Sequence, residues 1–193
     1  MKKLDVVFIL DKSGSMSGSE EYTISSFNEY LMKEKKHSYQ TNITTILFSD
    51  TYQYLHNRVP AKKVEKLTKK DYQVGGCTAL YDAIGHGIIS MDHTDTDKVL
   101  FIIITDGYEN ASLEFSKCKI QGMIQNHSNW EFIYIGADID SYASGGELGI
   151  SKENIANYTK NKSGTSKLFK AVDAFECAMM SEKATSNWKD DLE

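Results

Sequence analysis

Six consecutive apolar residues, Val99-Leu100-Phe101-Ile102-Ile103-Ile104, limit what this chain can fold into more than any other stretch. Side chains of a β-strand alternate between the two faces of its sheet. A strand that is apolar at every position must therefore be covered on both faces, as happens at the centre of a parallel sheet flanked by helices. A second run, Val6-Val7-Phe8-Ile9-Leu10, has the same character. Between the runs lie helical patterns, with Ile24, Phe27 and Leu31 on one stripe and Leu80, Ala83, Ile84, Gly87, Ile88 and Met91 on another. Strands alternating with amphipathic helices predict an α/β fold with an open, mainly parallel sheet and helices on both faces.

The remaining elements follow from local signals. The first strand is expected over Leu4–Leu10, and the S-x-x-E spacing of Ser17 and Glu20 predicts a helix start. Strands near Thr41–Ser49 and Tyr52–Val59 are separated only by Asp50-Thr51, too little for a parallel crossover. They should pair as a hairpin and put one antiparallel strand at a sheet edge, ended by Pro60, the single proline. Ala61–Thr68 reads as a short basic helix or turn, and 113–125 as a helix. Trp130–Gly136 reads as a strand, Asp138–Gly149 as a linking segment and Asn154–Tyr158 as a weaker strand. The last helix, about Thr165–Ser181, carries Leu168, Val172, Phe175 and Met179 on one face. Residues 1–182 are expected to form one domain, followed by a polar tail, 183–193, that frays.

Composition excludes several function classes. The net charge is −5, and Arg58 is the only arginine, a poor basis for a nucleic-acid surface, where arginine forks dominate. No run approaches the ~18 apolar residues of a membrane span. The start, Met1-Lys2-Lys3, is followed by an apolar run that is too short for a signal peptide and contains Asp5. Cys77, Cys118 and Cys177 are odd in number and lack metal-ligand spacing. They suggest reduced thiols and a cytoplasmic location. The five histidines show no ligand spacing. Neither a phosphate-binding G-x-x-x-x-G-K-[ST] loop nor a dinucleotide G-x-G-x-x-G fingerprint occurs.

The chemistry concentrates where the first strand ends. Asp11-Lys12-Ser13-Gly14-Ser15 sets one carboxylate and two hydroxyls at alternate positions. In an extended loop these can point the same way, and hard oxygen donors of this kind suit Mg²⁺. Taken alone, the stretch is equally a turn that bonds its own backbone. Two other loops can join it: Gly75-Gly76-Cys77-Thr78 before the second helix, and Asp106-Gly107 after the Val99–Ile104 strand. Ligands of open α/β sheets sit at this carboxyl edge, where strand order reverses.

With those residues in place, the chain resembles a von Willebrand factor type A domain, also called an integrin I-like domain. The metal-ion-dependent adhesion site of that family is D-x-S-x-S, then a threonine, then an aspartate. Asp11, Ser13, Ser15, Thr78 and Asp106 fill the five positions in order. The stretch Tyr134-Ile135-Gly136-Ala137-Asp138 with Leu148-Gly149-Ile150 further resembles small stand-alone bacterial and phage members.

The resemblance implies a Rossmann-like sheet and a bound Mg²⁺, with Mn²⁺ or Ca²⁺ as substitutes. It implies direct ligation by Ser13, Ser15 and Thr78, and ligation by Asp11 and Asp106 directly or through water. One coordination position would be left for an Asp or Glu of a protein partner. Such a module binds and does not catalyse. The competing reading is a Mg²⁺-dependent phosphotransfer or phosphohydrolase enzyme on a similar sheet. The nearest such family, the haloacid dehalogenases, uses D-x-D where this chain has Ser13.

Overall fold

The computed structural model describes residues 2–185 and 187–192. Six strands form one sheet: β1 (Lys3–Asp11), β2 (Gln40–Phe48), β3 (Tyr52–Pro60), β4 (Lys98–Thr105), β5 (Glu131–Gly136) and β6 (Ile155–Asn157). Their spatial order is β3-β2-β1-β4-β5-β6. Every pairing is parallel except β2 with β3, the expected edge hairpin. Among the described residues five α-helices cover the sheet: α1 (Glu20–Glu34), α2 (Leu80–Met91), α3 (Lys117–Asn126), α4 (Ser141–Glu147) and α5 (Lys162–Met180). None is long and apolar enough, among the described residues, to cross a membrane.

The two apolar runs behave as their composition requires. Leu4, Val6, Phe8 and Leu10 of β1 join Leu100, Ile102 and Ile104 of β4 in a core shared with α1 and α5. Val7 and Ile9 join Val99, Phe101 and Ile103 in the opposite core, shared with α2 and α3. Burying each such Leu, Ile, Val or Phe is worth about 1.5–3 kcal/mol. The sheet therefore resists any one-residue slip that would exchange the faces. On the first face Phe8 meets Phe27 and Tyr30 edge to face, with ring centroids 5.1 and 5.0 Å apart.

The chain runs outward from β1 to β2 and β3 in one direction, and from β4 to β5 and β6 in the other. Strand order thus reverses between β1 and β4, whose residues pair from Leu4↔Lys98 to Leu10↔Ile104. That reversal leaves a crevice above the carboxyl ends of these two strands.

Four local expectations change. Ser17 does not cap α1. It follows a 3-10 turn, Gly14–Met16, and α1 begins after Ser19, whose hydroxyl bonds to Met16 O. The helix expected over 113–125 starts only at Lys117, with Ser116 as its cap. Residues 109–115 are held instead as a loop by the carboxylates of Glu109 and Asp82, and Leu113 is fully outside the core. The linking segment 138–149 contains a helix, α4, capped by the Asp140 side chain. The polar tail does not fray where it is described. Trp188 is buried edge-on against Phe175, and its indole N–H donates to Glu153 O at 2.9 Å. Lys189 adds bonds from Nζ to Lys152 O and Ile155 O, and Leu192 packs against the core.

Candidate metal centre at the sheet's carboxyl edge

Asp11 is the last residue of β1, and Thr105 the last of β4. Their adjacency lets Thr105 Oγ1 donate to Asp11 Oδ2 at 2.5 Å, while Ser13 N–H donates to Asp11 Oδ1 at 2.6 Å. The Tyr72 hydroxyl bonds to the Asp11 backbone oxygen. The carboxylate is thus fully buried and fixed from both sides. Burial pushes its pKa up and the nearby Asp106 adds to this, while the bonds from Thr105 and Ser13 work the other way.

Beyond Asp11 the chain turns tightly. Ser13 Oγ and Ser15 Oγ lie 3.0 Å apart, and Ser15 Oγ donates to Asp106 Oδ1 at 2.5 Å. The turn is tied to the loop before α2: Gly14 N–H donates to Gly76 O at 3.0 Å, and Gly75 N–H to Lys12 O at 2.9 Å. Gly76 has φ +82°, and any Cβ there would collide with the Asp50 carboxylate. That carboxylate accepts from Cys77 N–H at 3.0 Å. Glycine is required at this point by conformation and by space.

The same loop delivers Thr78. Its N–H donates to Asn110 Oδ1 at 2.9 Å, and its carbonyl accepts from Asn110 N–H at 3.1 Å. A Cβ on Gly107 would lie 2.8 Å from Thr78 Oγ1 and 3.3 Å from Ser15 Oγ. Both hydroxyls therefore border the small space beside Asp106. The structure brings together all five residues singled out by the sequence: Asp11, Ser13, Ser15, Thr78 and Asp106. All but Ser15 are buried.

The donor set fits a hard divalent cation. Three neutral hydroxyls and two carboxylates converge, and no soft ligand intrudes. A cation already leans on the site. Lys160, in the β6–α5 loop, donates from Nζ to Asp106 Oδ2 at 2.7 Å and to Ser15 O at 2.9 Å, with Asp138 3.3 Å away. Burial acts to lower the Lys160 pKa, but the Asp106 and Asp138 carboxylates outweigh it and raise it.

Sequence reasoning missed Lys160, Thr105, Tyr72 and Asp50. Only Thr105, adjacent to Asp106, carried a signal. Glu109 and Asn110 are framework groups: Glu109 accepts from the backbone of Tyr81, Ala111 and Ser112. Cys77, beside Thr78, is exposed.

The family model of the von Willebrand factor type A domain matches residues 5–176. No curated protein matches the sequence. Among solved structures, proximal thread matrix protein 1 from the mussel byssus superposes with a TM-score of 0.66 at 15% identity, in a form described with a zinc-occupied MIDAS motif. The match covers 89% of this chain and 45% of that one. A von Willebrand factor type A protein from Catenulispora acidiphila matches at 12% identity and TM-score 0.65, over 90% and 42% of the two chains. The PilB minor pilin from Streptococcus sanguinis matches at 11% identity and TM-score 0.63, over 89% and 60%. The chain thus spans less than two thirds of each of these proteins, and at such identities the likeness is one of fold. The sheet order, the family match over residues 5–176 and the neighbours agree: the chain belongs to the von Willebrand factor type A domain family.

Proposed function

We propose that this chain is a divalent-cation-dependent protein-binding module. Asp11, Ser13, Ser15, Thr78 and Asp106 would hold Mg²⁺, with Mn²⁺ or Ca²⁺ as substitutes, and an Asp or Glu of a partner protein would complete the site. The observation that carries this reading is the convergence of five oxygen-bearing side chains from three loops at the β1/β4 switch point. When bound, the cation supplies an electrophilic point to which a partner carboxylate can attach.

The chain's own residues do the rest. Thr105 and Ser13 N–H orient Asp11. Neutral hydroxyls from Ser13, Ser15 and Thr78 donate oxygen without quenching the positive charge, so an incoming carboxylate keeps its attraction. Asn110 locks the Thr78 backbone. The carboxylates beside these hydroxyls are engaged by Thr105, Ser15 and Lys160 instead of being poised as general bases, which favours binding over catalysis.

The test is a thermal melt of EDTA-stripped protein. Mg²⁺ at about a hundred times its Kd adds ~2.7 kcal/mol. At about 2–4 °C per kcal/mol for a chain of this size, the Tm should rise by roughly 5–10 °C. Asp11→Ala should abolish the rise. A native protein indifferent to Mg²⁺ after stripping would reject the metal reading. Mg²⁺-dependent hydrolysis of a phosphate ester, lost in Asp11→Asn, would reject the non-catalytic one.

A further inference from the structure

A sizeable cavity lies at the other end of the sheet. It measures about 600 Å³ and opens among the amino-terminal ends of β1 and β2, with Lys3, Glu34, His37, Tyr39, Thr41 and Arg58 on its wall. Behind it sits a group of acids that folding alone does not explain. Glu34, at the end of α1, is 3% exposed, and Glu176, on α5, is 0% exposed. Neither Glu34 oxygen accepts a well-aligned hydrogen bond and the neighbouring Thr41 hydroxyl makes none, although the His37 ring stands beside Glu34 Oε1. Two buried carboxylates cannot donate to each other, so something positive must stand between them: a proton or a cation.

A third group completes the set. His37 Nε2 lies 3.1 Å from Glu34 Oε1 and 3.3 Å from Asp173 Oδ1. One ligand atom each from Glu34, His37 and Glu176 fall within 4.8 Å of one another. Ligands held ~2.1 Å from one ion stand about 3–4 Å apart, so this spacing fits with little adjustment. Glu34-Lys35-Lys36-His37 is an E-x-x-H segment, whose i,i+3 spacing sets both side chains on one side of a helical turn. Paired with a Glu from a facing helix, that is the ligand pattern of carboxylate–histidine metal sites in helical bundles.

The surroundings are built to hold the ligands. Tyr30 OH donates to Glu176 Oε2 at 2.6 Å and Tyr39 OH to Oε1 at 2.9 Å, leaving each oxygen a free lone pair. The His37 ring stacks on Tyr39 with centroids 4.8 Å apart. Such outer partners fix ligand orientation in metal sites. Positive groups nearby are engaged elsewhere, Lys33 with Asp173, Lys3 with Asp95 and Arg58 with Asp5.

We infer that Glu34, His37 and Glu176 form a second divalent-cation site, separate from the carboxyl-edge centre and reached through the 600 Å³ cavity. A mixed imidazole and carboxylate set suits Zn²⁺ or Mn²⁺ better than Mg²⁺. The experiment exploits a difference in donors, because the carboxyl-edge centre contains only oxygen ligands. Zn²⁺ is titrated into EDTA-stripped protein while imidazole ring nitrogens are followed by NMR. A saturable shift of His37 Nε2 at one equivalent is expected, and it should persist in Asp106→Ala. In Glu34→Gln zinc should bind at least tenfold more weakly. His37→Ala, a half-buried position that should not upset folding, should remove one bound equivalent by calorimetry and covers the case that Glu34→Gln does not fold. Zinc binding unchanged in His37→Ala would assign the ion to surface histidines and overturn the inference. No His37 shift, with Glu34→Gln more heat-stable than native protein in EDTA, would assign the pair to a shared proton and overturn it equally.

Discussion

Lys160 is the residue on which the carboxyl-edge centre turns. Its ammonium stands 2.7 Å from Asp106 Oδ2, where it neutralises a carboxylate proposed to hold the ion. A fixed positive charge that close opposes a second one, and at an effective dielectric near 20 the repulsion between neighbouring charges is a few kcal/mol before the lysine swings aside. Lys160→Ala should therefore tighten Mg²⁺ binding by roughly tenfold, equivalent to about 1.4 kcal/mol, as measured by calorimetry. Weaker binding would show that Lys160 supports the centre instead of competing for it. This residue was invisible in the sequence because it lies 54 positions from Asp106 and is aimed there by the path of the β6–α5 loop. The five predicted ligands were legible for the opposite reason. Each sits at a strand end or a glycine-marked loop, where local sequence reports position.

Elements were legible where one force acted alone. β4 extends one residue beyond each end of the apolar run Val99–Ile104, because burial on both faces leaves a run of unbroken apolarity. The helix expected from 113 failed because side-chain acceptors compete with helical carbonyls for backbone N–H groups. Asp82, on α2, accepts from the N–H groups of Leu113, Glu114 and Phe115 at 2.9, 3.0 and 2.9 Å. It thereby pins the loop that carries Asn110 against Thr78. Removing it strands three donors, of which that of Phe115 is buried. Asp82→Ala should cost about 2–3 kcal/mol, since bonds to charged acceptors exceed the ordinary ~1 kcal/mol and water recovers part of the loss. Urea unfolding gives the number. A cost below ~0.5 kcal/mol would mean that Glu109 alone holds the loop.

At the scale of the molecule the sheet separates two kinds of chemistry, an oxygen-lined centre above the β1/β4 crossover and a carboxylate–histidine group beneath the first strands. One of its boundaries is the edge strand β3, whose pairing with β2 shifts register between Ile43 and Ile46. Buried in that edge, His56 meets Thr45 Oγ1 through Nδ1 at 3.0 Å. Burial lowers its pKa, against weaker opposing effects of Glu65 and Asp71. A histidine whose folded pKa lies below its unfolded value near ~6.5 contributes fully above that value. Its contribution fades as pH falls through the folded pKa, because the unfolded chain binds the proton first. Stability measured by urea unfolding should therefore decline from about pH 6.5 downward, before most carboxylates titrate near ~4. His56→Gln keeps a polar partner for Thr45 but has no proton to gain, so its stability should fall less steeply over the same interval. Identical slopes for the two proteins would place the acid sensitivity elsewhere, since His37, His86 and His127 all face carboxylates and are present in both.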